Sequence, residues 1–361
     1  MTNILAPRPI AAARDPQRDR RLVRAWLILV ALMIVAIVVV GGATRLTRAG
    51  LSITEWQPVH GVIPPMNDAE WQDEFSKYQQ IPEYQQLNQG MTLAEFQGIF
   101  WWEWAHRLLG RVIGVVVLVP LILLWATGRI EPGLKPRLVA ILLLIGLQGA
   151  VGWWMVSSGL SQRTDVSQYR LATHLTLACF IFAYTLWVAR SLAPAYTPSS
   201  LMTRIGAGLI VLITLKQIFL GGLVAGLDAG LTFNTWPLMD GALVPSGLLV
   251  QQPWWRNFFE NVATVQFDHR VGAYTLFIVA LIYAALASRT PQASGAQRLA
   301  LLILLQAVIG IVTLVNAVPL PLALLHQLGA VAVLAYAVTH LRAMLPPLPV
   351  RIAMASERSA G

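Results

Sequence analysis

Eight long apolar segments restrict what this chain can fold into. They cover residues 25–43, 106–127, 138–158, 171–189, 205–227, 271–288, 299–318 and 320–341. A bilayer core of about 30 Å is crossed by about 20 helical residues, each of which adds about 1.5 Å. Backbone polar groups in lipid must be satisfied within the segment, so these runs predict helices. The sequence therefore predicts an all-α integral membrane protein with eight transmembrane helices.

The composition agrees with lipid as the main solvent of the chain. Of its 361 residues, 56% are hydrophobic and 12% are charged, whereas soluble domains carry about 25% charged residues. The formal net charge of +9 would also suit a nucleic-acid-binding protein, but the basic residues lie between apolar segments and not on one face. We therefore expect membrane lipid, and no nucleic acid, as a partner.

The distribution of basic residues predicts the orientation of the chain. Most arginines and lysines lie in the N-terminal tail, in the loops after the second, fourth and sixth segments, and in the C-terminal tail. The positive-inside rule assigns this side to the cytoplasm. Both termini are then cytoplasmic, as tails of residues 1–24 and 343–361. We call the opposite side the outer side; it carries two long, tryptophan-rich loops.

The N-terminal tail also indicates the host membrane. It is rich in arginine but contains Asp15 and Asp19, and mitochondrial targeting peptides tend to avoid acidic residues. It also lacks a short apolar core followed by a cleavage site. These features favour the cytoplasmic (inner) membrane of a bacterium.

The two halves of the chain carry matched features in the same order. Glycine pairs lie near the ends of the first and fifth segments, at residues 41–42 and 221–222. The third segment contains LQGAVG at residues 147–152, and the seventh contains LQAVIG at residues 305–310. Such matching predicts two pseudo-symmetric four-helix units, residues 25–190 and 205–342, joined by a cytoplasmic linker of residues 191–204. Both units start on the same side, so we expect a parallel repeat.

Four of the six histidines belong to this repeat. His106 and His174 lie near the outer ends of the second and fourth segments, and His269 and His326 near those of the sixth and eighth. Imidazole is a common haem ligand, and bundle cores often hold cofactors. Each unit is therefore predicted to hold one haem iron between two histidines, with the propionates toward the outer side. Arginines placed to meet the propionates are Arg107, Arg111, Arg170 and Arg270.

Other roles of the histidines are less well supported. A single histidine in a span often satisfies only a local polar contact, but four at matched positions favour a ligand role. Zinc or copper could use the same side chains, yet nothing supplies the thiols or carboxylates that usually complete such sites. The one cysteine, Cys179, lies in an apolar stretch, so no disulfide forms within the chain. His60 and His340 lack counterparts in the other half and are predicted to be structural or solvated.

One asymmetry distinguishes the two units. A capping box at residues 92–95 predicts a helix that continues through Glu103 to His106, and residues three apart share a helical face. The matching position before His269 is Gln266. Proton or cation chemistry needs a carboxylate, whereas electron transfer does not. We therefore predict Glu103 as the catalytic residue of a reactive N-terminal unit and electron transfer in the C-terminal unit. The alternative is that Glu103 only pairs with a nearby arginine.

Five motifs together resemble the haem A synthase family. They are GGATRLT at residues 41–47, GLSITEW at 50–56, EWAHR at 103–107, FNTWPLMDG at 233–241 and FDHR at 267–270. The resemblance extends over roughly residues 25–342, and the motifs are specific as a set. Some members of the family carry a cysteine pair in the first outer loop. This chain has none there and resembles the branch without that pair.

The resemblance implies an oxidoreductase with two different haem sites. It implies haem b as the cofactor, bound by His269 and His326. It implies haem o as the substrate, held between His106 and His174 with Glu103 beside it. The implied reaction oxidises the C8 methyl group of haem o to a formyl group by successive hydroxylation and gives haem a for cytochrome c oxidase. Expected partners are an unidentified electron-transfer partner and a haem O synthase.

Two other functions stay open from the sequence alone. A dihaem electron-transfer protein of the cytochrome b type would use the same four histidines without altering its haem, but Glu103 and the motifs favour the synthase. The non-enzyme alternative is a haem or metal transporter, which a parallel repeat also suits. A transporter would need a path to both faces, whereas the four histidines lie near one face.

Overall fold

The computed structural model describes residues 15–57, 60–194 and 196–349, and the fold within them is helical without a strand. Eight helices are long and apolar enough to cross a membrane, which confirms the predicted all-α, eight-span architecture. The terminal residues 1–14 and 350–361, which include much of the predicted cytoplasmic tails, lie outside the described residues. The spanning helices are TM1 (Pro16–Leu46), TM2 (Leu93–Ala126), TM3 (Lys135–Val156), TM4 (Gln168–Ser191), TM5 (Leu201–Gly226), TM6 (Val262–Ala287), TM7 (Ala293–Val315) and TM8 (Leu320–Ala343).

Several helices begin earlier than hydropathy predicts. TM1 starts at Pro16 and not at residue 25, because the Asp15 side chain accepts a hydrogen bond from Gln17 N and caps the helix. The arginines of the predicted tail from residue 18 onward therefore continue the helix. TM6 starts at Val262, capped by Asn261, and not at residue 271. Hydropathy detects the apolar part of a helix and misses polar turns beyond it.

The spanning helices pack in the same order in both halves. TM1 contacts TM2, TM2 contacts TM3, TM3 contacts TM4 and TM4 contacts TM1, so the first four helices form a closed ring. TM5 to TM8 form a second ring with the same order, and TM4 and TM8 pack against each other and against the first helix of the other ring. Full pseudo-symmetry of the two units stays a prediction, which this shared packing order supports.

A tryptophan repairs a break in the hydrogen bonding of TM2. Pro120 lies inside this helix and has no N–H to offer the carbonyl of Val116, four residues earlier. Trp26 of TM1 donates its Nε1–H to Val116 O at 2.7 Å. An unpaired carbonyl in lipid would be costly, so this bond both satisfies TM2 and fixes TM1 against it.

The first outer loop, residues 47–92, folds into a compact cap on the outer end of TM2. It contains the helices Asp68–Tyr78 and Pro82–Gln86. Their aromatic side chains pack against the first turns of TM2, where Phe96 and Phe100 are almost completely buried. In the last turn of TM1, just before this loop, Arg45 donates to Ala225 O at 3.0 Å and to Asp228 at 3.1 Å. The outer ends of the two units are therefore tied together.

One buried carboxyl group lies in this cap. Glu83 is 2% exposed, and the Tyr78 hydroxyl is 3.3 Å from one of its oxygens. Burial and the nearby carboxylates of Asp165 and Glu103 raise the pKa of Glu83 to about 7, although Tyr78 and Arg48 act in the opposite direction. In the folded cap Glu83 is therefore protonated at mildly acid pH.

This raised pKa predicts a pH-dependent stability of the cap. The contribution of Glu83 to the stability of the cap is complete below pH 4.5, the ordinary pKa of its carboxyl group. It is lost as the pH rises toward about 7, the pKa of Glu83 in the folded cap. The free energy of opening the cap falls by roughly 3 kcal/mol, so the equilibrium constant for local opening rises about a hundredfold. Hydrogen exchange of the Asp68–Tyr78 amides, corrected for intrinsic rates, should show this loss. The Glu83→Gln protein should show a flat profile; a wild-type profile that is also flat contradicts the assignment.

Candidate functional site

Each of the four repeat-matched histidines lies against a glycine of the spanning helix before its own. A Cβ atom at Gly310 would lie 2.6 Å from His326 Cε1 and one at Gly152 2.9 Å from His174 Cε1, so a side chain would collide with these rings. At Gly41 and Gly221 the Cβ atom would lie 3.0 and 3.3 Å from the ring, which is a tight contact. Glycine thus lets each helix approach the imidazole closely. The four pairs of contact glycine and histidine are Gly41 with His106, Gly152 with His174, Gly221 with His269, and Gly310 with His326.

A glutamine holds three of the four histidines. Gln217 Nε2 lies 3.1 Å from His269 Nδ1 and donates to His269 O at 2.8 Å. Gln148 makes the same contacts with His174, and Gln306 with His326. Each glutamine amide nitrogen lies closest to Nδ1 of its ring, and at His174 and His269 it also lies 3.4 and 3.5 Å from Nε2. Each glutamine therefore holds one edge of the ring and the backbone carbonyl of the same histidine. Such outer-shell partners orient metal-binding histidines.

The glutamines follow a spacing that the sequence analysis used only in part. Each lies four residues before its contact glycine, and residues four apart share a helical face. The pattern Gln-x-x-x-Gly therefore occurs in TM3, TM5 and TM7. Gln217 was missed because its helix lacks the longer LQ motif. In TM1 the corresponding residue is Ile37, four before Gly41, so His106 has no glutamine of this kind.

The two histidine rings of the C-terminal unit lie close to each other. The ring centroids of His269 and His326 are 6.5 Å apart, with an angle of 78° between the ring planes. Two metal–imidazole bonds of about 2 Å, together with the distance from each nitrogen to its ring centre, add to roughly 6 Å. Within the described residues no three His, Cys, Asp or Glu side chains converge on a metal-ion site. Two imidazoles at this separation would fit an iron held between them, as in a haem.

In the N-terminal unit, Glu103 is buried at the junction of TM2 and the cap. The residue is 2% exposed. Its Oε2 accepts hydrogen bonds from Ser52 Oγ and Ile53 N, both at 2.8 Å. Its Oε1 accepts from Arg107 Nε at 3.0 Å and from Nη2 at 2.5 Å. All four acceptor positions of the carboxylate are thus occupied, and the group is held in one orientation.

The same junction occurs in the C-terminal unit without the charge. Arg107 Nη2 donates to Ile53 O at 2.6 Å, and Arg270 Nη2 donates to Phe233 O at 2.9 Å. Gln266, at the position of Glu103, donates to that same carbonyl at 3.2 Å. Ser52 and Ile53, which donate hydrogen bonds to the Glu103 carboxylate, were not predicted from the sequence. The signal was a repeat of Ala-Gly-Leu followed by a hydroxyl residue, at residues 49–52 and 229–232.

The four arginines predicted to meet propionates bind backbone carbonyls in this structure. Arg107, Arg111 and Arg270 bind loop carbonyls, whereas Arg170 binds one in the last turn of TM3. Arg107 and Arg270 bind the carbonyls described above, and Arg107 also lies over the Trp153 ring at 5.8 Å. Arg111 donates to Gln57 O at 2.8 Å, and Arg170 donates to Trp154 O at 2.5 Å. All four lie on helix segments near the ligand histidines, and their contact with propionates stays a prediction.

Comparison with known proteins agrees with this site. A family described as cytochrome oxidase assembly protein matches residues 24–338. A haem A synthase of Mesorhizobium japonicum is 58% identical over 363 aligned residues, which cover 99% of this chain and all of that protein. A haem A synthase of a Chelativorans species is 60% identical over 91% of this chain and 92% of its own. One from Brucella ovis is 59% identical over 90% of this chain and 92% of its own.

The regions matched in these comparisons extend over nearly the whole chain. The family match includes all eight spanning helices except the first residues of TM1 and the last residues of TM8. It also includes the four histidines, their contact glycines and Glu103. The chain therefore belongs to the haem A synthase family of cytochrome oxidase assembly proteins.

Proposed function

We propose that the protein is a haem A synthase, which oxidises the C8 methyl group of haem o to a formyl group and supplies haem a for cytochrome c oxidase. The observation that carries the proposal is the difference between two otherwise matched histidine pairs. In the N-terminal unit the residue three before His106 is the buried carboxylate Glu103, whereas the residue three before His269 is the neutral Gln266. Only the C-terminal pair is held by glutamine at both histidines.

The C-terminal pair suits a resident cofactor. His269 and His326 would hold haem b, which would supply reversible one-electron chemistry at its iron. Gln217 and Gln306 each hold one of these rings and its backbone carbonyl. A rigid pair of ligands keeps the surroundings of an iron similar in both oxidation states. We therefore assign electron transfer to this unit.

The N-terminal pair suits a substrate that enters and leaves. His174 is held by Gln148, whereas His106 faces Gly41 without a glutamine on TM1. One firm and one less restrained ligand would bind haem o and still release haem a. We assign the substrate to the space between His106 and His174, under the cap that Glu103 anchors.

Glu103 acts in this proposal as a fixed negative charge. Oxidation of a methyl carbon attached to a porphyrin develops positive charge at that carbon, and a preorganised anion stabilises it without reorganisation. Because Ser52, Ile53 and Arg107 occupy all its acceptor positions, the carboxylate is poorly placed to collect a proton. Glu103 does pair with Arg107, as the alternative to a catalytic role required. Of the two chemical roles considered for Glu103, the contacts favour charge stabilisation over proton transfer.

The site also bears on location and partners. The relatives are bacterial proteins, which supports the inner membrane, and the positive-inside rule supports cytoplasmic termini. Both histidine pairs then lie toward the outer side. A haem O synthase would deliver the substrate, and a separate electron-transfer partner would exchange electrons with the C-terminal unit.

The pigments of the purified protein test the proposal. We expect haem b together with haem o, haem a or a hydroxylated intermediate when the protein is produced in cells that make haem o. Extraction followed by chromatography and mass spectrometry identifies each haem. Two molecules of haem b per chain, with haem o left unchanged, would instead indicate an electron-transfer protein.

Removal of the charge of Glu103 should block the oxidation and spare the C-terminal haem. The Glu103→Gln side chain can still accept bonds from Ser52 and Ile53, so the cap stays anchored while the anion is lost. We expect haem a formation to fall on the order of a hundredfold, with haem b content unchanged. Glu95→Gln is the matched control, because a capping box accepts glutamine equally well. Loss of haem b from the Glu103→Gln protein would contradict the division of roles.

A further inference from the structure

The C-terminal unit contains a second layer of rings on the cytoplasmic side of its histidine pair. Tyr283 follows His269 on TM6, and His340 follows His326 on TM8, at the same separation in sequence. This separation corresponds to about four helical turns, or roughly 21 Å along the helix. Because it is close to a whole number of turns, each inner ring lies on the same helical face as the ligand above it.

The inner rings also contact glycines in the way that the ligands do. Gly206 precedes Gly221 on TM5, and Gly295 precedes Gly310 on TM7, again at one shared separation. A Cβ atom at Gly206 would lie 2.7 Å from Tyr283 Cδ2, and one at Gly295 would lie 2.4 Å from His340 Cε1. All four helices of the unit thus repeat the contacts of the outer layer about four turns deeper.

In the inner layer the two rings bond directly to each other. Tyr283 Oη lies 2.9 Å from His340 Nε2, and the ring centroids are 5.9 Å apart at 76°. These values are close to the 6.5 Å and 78° of the His269–His326 pair. Tyr283 is 5% exposed, and the small residues around it, such as Ala280 and Ala337, are completely buried. The inner layer is therefore closely packed and leaves no space for a macrocycle.

A directional bond at this position has a specific consequence. TM6 and TM8 are not packed against each other as neighbours in the ring, and apolar packing alone tolerates sliding and rotation because it has no direction. A hydrogen bond in a protein interior fixes distance and angle, and buried polar pairs are known to fix register. The Tyr283–His340 bond is thus able to fix TM6 relative to TM8.

We propose that the Tyr283–His340 hydrogen bond sets the register and rotation of TM6 and TM8 so that His269 and His326 face each other as a ligand pair for haem b. Tyr283 and His340 are positioning residues in this proposal, which rests on the proposed function of the C-terminal unit. His340, which the sequence predicts to be structural or solvated, thus has a structural role through its bond to Tyr283.

The N-terminal unit supports the proposal by contrast. At the same separation from its two ligands, the position after His106 is Pro120 and the position after His174 is Val188, so no polar pair can form there. A resident cofactor benefits from a fixed ligand pair, whereas a site that exchanges substrate and product does not. The inner hydrogen bond is found in the unit that we assign to the cofactor.

The test compares full-length variants purified in detergent by haem b content, haem b affinity and the EPR spectrum of the ferric haem. Tyr283→Phe removes only the hydroxyl group. We expect its low-spin EPR signal to shift, because this signal depends on the angle between the two imidazole planes, and its haem b affinity to fall roughly tenfold. The exchanged pair, Tyr283→His with His340→Tyr, restores a bond between the rings and should restore both readouts. Tyr336→Phe, which removes a hydroxyl from the ring stacked on His340, is the matched control and should match wild type.

The outcomes separate this inference from the proposed function. Wild-type protein without haem b would contradict the proposed function itself. Normal haem b in wild type, with unchanged EPR and affinity in Tyr283→Phe, would overturn only the positioning role. If Tyr283→Phe does not fold, Gly295→Ala decides instead, since its methyl group displaces His340 while keeping the bond partners. A shifted EPR signal in Gly295→Ala supports the proposal, and an unchanged one overturns it.

Discussion

The close contact between a histidine ring and a glycine of the neighbouring helix is the constraint on which the rest of this structure depends. In lipid, helices gain little from burying apolar side chains against each other, so close backbone approach and interhelical hydrogen bonds decide how they pack. Here each contact glycine admits an imidazole, and at three of the four positions a glutamine one turn away holds it. One packing unit, a glycine helix followed by a histidine helix, is used four times and yields two histidine pairs.

Small departures from this plan give the two units different chemistry. TM1 has Ile37 where TM3, TM5 and TM7 have glutamine, so His106 is less restrained. TM2 has Glu103 where TM6 has Gln266, so this unit contains a buried carboxylate. Both changes occur in the unit assigned to the substrate. The C-terminal unit keeps both glutamines and adds an inner hydrogen bond. The site assigned to the substrate, which must bind, react and release, thus has one less restrained histidine and a carboxylate. The site assigned to the cofactor has two histidines that are both held by glutamine.

Hydropathy and the repeat predicted most of the fold, and they missed the parts that depend on single polar contacts. Eight spans, the capping box before TM2 and the four matched histidines followed from periodicity and spacing. The early starts of TM1 and TM6 did not, because a cap such as Asn261 adds polar turns that no apolar window detects. Gln217 and Ser52 were missed because the repeats that contain them, Gln-x-x-x-Gly and Ala-Gly-Leu followed by a hydroxyl residue, are too short to stand out without the structure. The carbonyl contacts of the four arginines were also not predicted, since backbone in loops and at helix ends needs donors that hydropathy does not reveal.

Replacing one histidine pair at a time tests whether the two pairs form different sites. The two paired variants are His106→Ala with His174→Ala, and His269→Ala with His326→Ala. We predict that the first keeps one haem b per chain and binds no haem o, whereas the second loses haem b and still binds haem o. Equal loss of both haems from both variants, or loss of haem b from the first, would contradict the account.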